Sequence, residues 1–156
     1  MINKGIFKDD IILGILAGFV GNIPKEIITW MFHFLGYLRY TFVHLAAGSF
    51  VPSEFIDNPV SLATGVISDW VMVGVIGILS VYLIRFTGEK YPIIKSLFLS
   101  AFFYIILYGA LMAFDVTGVS LLTPLPSLLL FFPHLAMGGG IGWFIKKYGL
   151  TLNRNI

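Results

Sequence analysis

Residues 62–83 read LATGVISDWVMVGVIGILSVYL, twenty-two positions that carry a single formal charge, Asp69. About 20 apolar residues are what a helix needs to cross the hydrocarbon core of a bilayer. Runs of the same kind recur at about 94–114 and 127–145. The whole chain follows suit, with 58% apolar and 12% charged residues, where a soluble domain carries roughly 25% charge. Too few polar side chains remain to cover a globule in water, so lipid is the expected solvent.

The earliest apolar region, residues 11–38, is longer and interrupted by Asn22, Pro24, Lys25 and Glu26. A helix over all of it would reach roughly 42 Å, more than one straight crossing uses. The first span is therefore expected over 11–30, bent near Pro24, where the ring removes a backbone donor. Segment 31–50 is left to lie along the interface or to dip back as a re-entrant helix. His33, Tyr37, Tyr40 and His44 follow i, i+4, i+7, i+11 within it, one face of a helix. Such side chains, apolar with polar tips, anchor at a membrane boundary. The expectation is one all-α membrane domain, 1–156, with four spans and this additional helix. A cleaved leader is not expected, because Asp9 and Asp10 follow Lys4 and Lys8 and no small-residue cleavage site ends the run.

Orientation follows from the basic residues. Lys4, Lys8, Arg85, Lys90, Lys95, Lys146, Lys147 and Arg154 fall on one side of a four-span arrangement, and Arg39 falls on the other. Both termini are expected in the cytoplasm.

Small residues four apart let helices approach closely where lipid supplies no hydrophobic drive. Gly14 and Gly18 on the first span, and Gly138 and Gly142 on the last, have that spacing. They either close the bundle within one chain or form a face for a second copy or another membrane subunit.

Ionisable groups inside spans are costly and mark function or structure. Here they are Lys25, Glu26, Asp69 and His134. Helix rise places Lys25, Asp69 and His134 roughly 8–11 Å below the outer boundary, and Tyr108 falls in the same layer. This predicts a shared polar site built around a Lys25–Asp69 ion pair, with Tyr108 and His134 able to hydrogen-bond to it. Glu26, about 100° around the helix from Lys25, is the weaker partner. Alternatively, Lys25 snorkels outward and His134 satisfies a carbonyl freed by Pro133.

No cysteine is present, which removes disulfides, thiolate metal sites and cysteine nucleophiles. No metal, cofactor or nucleic-acid partner is expected, and Ser68 and Ser100 lack a recognisable base. The inner halves of the spans hold almost no polar groups beyond Ser80 and Ser100, which argues against a continuous conduction path. A structural, regulatory or subunit-binding membrane protein is the first expectation. A small transporter or channel using the layer of Lys25, Asp69 and His134 is the alternative.

Several features together resemble the small uncharacterised bacterial inner-membrane proteins of the YagU and YqhR type. These are Gly14-x-x-Ala-Gly18 leading to Lys25, the polar connection after it and the short basic loop before the third span. Pro133-His134-Leu135, in a span ending at Lys146-Lys147, completes the set. The connections are shorter here. The resemblance implies a multi-pass membrane protein and supplies no catalytic residues.

Overall fold

The computed structural model describes residues 9–114, 116–119 and 124–150, and among these the chain is helical with no strand. Three helices are long and apolar enough to cross a membrane, and a shorter apolar helix accompanies them. The first, α1 (Asp10–Phe34), starts where the Asp9 carboxylate accepts from Ile11 and Ile12 amides at 2.9 and 3.0 Å, an N-cap on otherwise unpaired donors. Pro24 lies inside it without ending it. The expected end near residue 30 is corrected to Phe34, and the helix stops where Gly36 adopts a φ of 78°.

Beyond that turn, 31–50 is not one helix. The chain reverses through residues 35–41 and re-forms only the short α2 (Phe42–Ala47). His33 and His44 therefore do not share a helical face, although the reversal still brings their rings to 5.7 Å. A 3-10 turn, Ser53–Phe55, leads to α3 (Pro59–Phe86). Asn58 caps α3 through the Val60 amide at 2.9 Å, and proline follows at the position where its missing donor costs nothing. Then come α4 (Pro92–Phe103), a π-helical turn Tyr104–Tyr108 and α5 (Gly109–Ala113). The last helix, α6 (Pro124–Phe144), runs past Pro133 into a second π-helical turn, Ile145–Leu150.

α1 lies at the centre, packed on α3 and α6, and α6 packs in turn on α4. Glycine sets these distances. A Cβ on Gly18 would collide with the Val73 carbonyl, and one on Gly77 with the backbone of Gly14 and Gly18. On the other side, a Cβ on Gly138 would lie 2.7 Å from the Ser96 carbonyl, and one on Gly142 2.9 Å from that of Pro92. The glycine faces of α1 and α6 are thus occupied by α3 and α4 of the same chain. α3 and α4 touch each other much less, and α2 packs on α3 over the resulting gap. Outward-facing positions such as Ile27, Ile67 and Phe98 are 63%, 65% and 71% exposed, the surface lipid solvates. At one end of the bundle Arg85 reaches Asp10 at 3.2 Å and Glu89 at 2.7 Å, tying the start of α1 to the end of α3.

Candidate functional site

Lys25 is the largest fully buried side chain among the described residues, 1% exposed. Its ammonium does not snorkel. Nζ sits 2.5 Å from Asp69 Oδ1 and 3.1 Å from Glu26 Oε1, and 4.9 Å above the Phe42 ring. A buried charge is tolerated only when paired and hydrogen-bonded, and the neighbouring turns supply the remaining partners. Asn22, one turn before Lys25, donates Nδ2 to Asp69 Oδ2 at 3.0 Å. Trp30 donates Nε1 to Glu26 Oε2 at 3.1 Å. Thr29 returns its hydroxyl to the Lys25 carbonyl at 2.7 Å, a bond of α1 to itself.

Glu26, expected as the weaker partner, is the more distant carboxylate at Lys25, 3.1 Å against 2.5 Å for Asp69, and both side chains are long enough to meet beside the helix. Lys25 is accordingly held by two carboxylates.

Tyr108 and His134 join the same place without joining the ion pair. Tyr108 Oη and His134 Nδ1 are buried with no well-formed hydrogen bond, so the bonds to the pair expected of them are absent. They are placed by aromatic packing instead. Tyr104 and Tyr108 stack at 5.0 Å with an 11° interplanar angle, and His134 packs on Phe42 and Tyr104 at 4.6 and 5.1 Å. The π-helical turn carries both tyrosines, and such turns often mark functional sites. The Tyr104 hydroxyl donates to the Ser127 carbonyl, fixing the ring against α6.

These groups surround one cavity of about 350 Å³ in the gap between α3 and the α4–α5 helix. Lys25, Ser68, Asp69, Tyr104, Tyr108 and His134 line it together with Phe42, Leu45, Met72 and Leu107. Ser49, Phe50, Phe114 and Val116 line it at the end near α2. Val73 and Ile76 line it towards the opposite end, where both belong to a packed apolar core with Leu13, Ala17, Met137 and Ile141. All four residues of the expected polar layer, Lys25, Asp69, Tyr108 and His134, line this cavity, and Glu26 is not among its lining residues. Tyr104, Phe42 and Asn22 belong to the arrangement as well. The four-residue spacing of Tyr104 and Tyr108, and the place of Asn22 one turn before Lys25 in the first apolar run, are the sequence signals that point to two of the three.

Outside the spans, His44 forms a second polar cluster. Its Nδ1 accepts from the Thr41 amide at 3.2 Å and lies 2.8 Å from the Thr41 hydroxyl. Nε2 faces Asp57 at 3.5 Å. Burial lowers the imidazole below its ordinary value; Asp57 pulls upward and His33 adds to the lowering. No group of three or more histidine or acidic side chains suited to a metal occurs among the described residues. No protein-family model, no curated protein and no solved structure matches the chain.

Proposed function

We propose that this is a four-crossing protein of the bacterial cytoplasmic membrane, with both termini inside, that binds a small amphiphilic ligand in the Lys25–Asp69 cavity. The convergence of Lys25, Asp69, Tyr108 and His134 from four helical segments on one cavity carries the reading. Ligand sites combine mostly apolar walls with a few placed polar groups, and ionisable side chains inside a membrane mark function by default.

The fourth crossing is assigned to the helix from α4 through α5. Its segments of 12, 5 and 5 residues together span roughly 33 Å at α-helical rise, enough for the hydrocarbon core. Orientation rests on the eight basic residues gathered on one side. A binding role is favoured over a conducting one because the cavity meets packed Val73 and Ile76 at its inner end. It is favoured over a subunit-binding role because α1 and α6 spend their glycine faces on helices of their own chain.

Three probes with one hydrocarbon skeleton test the reading: 4-phenylbutylamine, 4-phenylbutyrate and 4-phenylbutanol. In nanodiscs, at least one is expected to raise the melting temperature of the protein saturably. Ala46→Trp, which fills the cavity from α2, is expected to abolish that shift. If none of the three acts on the wild type, or the shift is unchanged in Ala46→Trp, the cavity is not a ligand site.

A further inference from the structure

The cavity's charge and donor inventory narrows the ligand class, and the inference rests on the binding role just proposed. Around Lys25 the formal charges are +1 for its ammonium and −1 each for Asp69 and Glu26. The remaining titratable groups at the site, His134, Tyr104 and Tyr108, are formally neutral. One negative charge is left over in a region where charge is expensive.

Lys25 is shielded from an incoming anion. Its side chain, 1% exposed, donates to Asp69 and lies against Glu26 and the face of Phe42. Acceptors, by contrast, are in surplus. A carboxylate accepts at about four lone-pair sites, and Asp69 has one bond from Lys25 and one from Asn22. The aromatic rings of Phe42, Phe50, Tyr104, Tyr108 and Phe114 line the cavity, and ring faces attract cations. Lys25 already sits over one of them.

We propose that the cavity selects an amphiphilic organic monocation, a protonated amine or quaternary ammonium. The cationic head pairs with Asp69 against the tyrosine rings, and the hydrocarbon part lies along Leu45, Met72 and Leu107. The ion pair with Lys25 then acts as an electrostatic filter. It holds Asp69 in place while Glu26 supplies the surplus negative charge that repels anions.

The same three probes separate this inference from the binding role itself. Nanodiscs of phosphatidylglycerol carry no ammonium headgroup, and each binding signal is taken relative to Ala46→Trp in the same lipid. The amine is expected to bind at least about tenfold more tightly than the alcohol, with the carboxylate weakest. Asp69→Asn should remove the preference. Glu26→Gln leaves the Lys25–Asp69 contact intact and should reduce amine affinity roughly tenfold, so the inference stays testable where Asp69→Asn does not fold. Competition by added phosphatidylethanolamine would support the same chemistry and identify a lipid headgroup as its source. Equal or tighter binding of the alcohol or the carboxylate overturns the cation inference while leaving the pocket a ligand site. An amine preference that survives Glu26→Gln at full strength overturns it as well.

Discussion

Lys25 Nζ lies 2.5 Å from Asp69 Oδ1 across 44 residues of chain, and this contact joins the middle of α1 to the first half of α3. Neither charge is tolerable alone at that depth. Removing one partner of a buried pair costs about 3–5 kcal/mol, whereas replacing both by uncharged groups is much cheaper. In a Glu26→Gln background, where Asp69 is the one carboxylate left at Lys25, Lys25→Met and Asp69→Asn should therefore each lower thermal stability in detergent more than the double variant does. The measured coupling should reach about 2 kcal/mol or more. A coupling indistinguishable from zero means that the two groups act independently.

Close approach of α1 and α3 depends on the absence of side chains at Gly18 and Gly77, where a Cβ would overlap backbone. Gly77→Ala is expected to cost about 1–3 kcal/mol, since no flexible atom can yield. Gly139 faces open space, so Gly139→Ala should be neutral or gain up to about 1 kcal/mol from helix propensity. Melting curves of the two variants give the comparison. Equal effects would mean that the α1–α3 interface is looser than described.

His44 gives the protein a pH-dependent component of stability. Its folded value is lowered from 6.5, first by burial. The unfolded chain thus binds a proton that the folded one resists, so the contribution is complete above about 6.5 and declines as pH falls below that value. Melting temperature should drop between pH 7 and pH 5, and the drop should shrink in His44→Gln. Asp57→Asn removes the group that pulls the imidazole upward, so it should enlarge the drop. An unchanged drop in His44→Gln would assign the pH dependence to other groups.

Topology is checked by reporter fusions. Those after Asn58 and Ser120 are expected to read external, and one after Gly88 internal. An external reading at Gly88 would reverse the orientation derived from Arg85, Lys90 and Lys95.

Much of this site was legible because helix rise alone converts sequence position into depth. Lys25, Asp69, Tyr108 and His134 could be assigned to one layer without knowing which helices are neighbours. The lateral arrangement was not legible, since glycine spacing on α1 and α6 marks close packing but not the partner. Side-chain length narrows the 100° offset enough for Glu26 to reach Lys25, at the longer distance. The expected shared helical face of His33 and His44 does not form: Gly36, with φ 78°, ends the helix, and the rings meet through a chain reversal. The π-helical turn at Tyr104–Tyr108 left no trace in the apolar pattern, as its register differs while its composition does not.

That turn makes the site sensitive to chain length as well as to side chains. A π-turn closes its hydrogen bonds one residue further along than an α-turn, so it accommodates a residue that a regular helix would not. Deleting one of Ile105, Ile106 or Leu107 therefore lets the helix rewind as continuous α with everything beyond it, Tyr108 included, in its present orientation. One further residue inserted in the same stretch finds no slack and turns everything beyond it by about 100° relative to α4, taking Tyr108 out of the cavity while Ser96 and Ser100 keep their places against α6. The loss of a single codon here is tolerated, and the gain of one dismantles the aromatic wall.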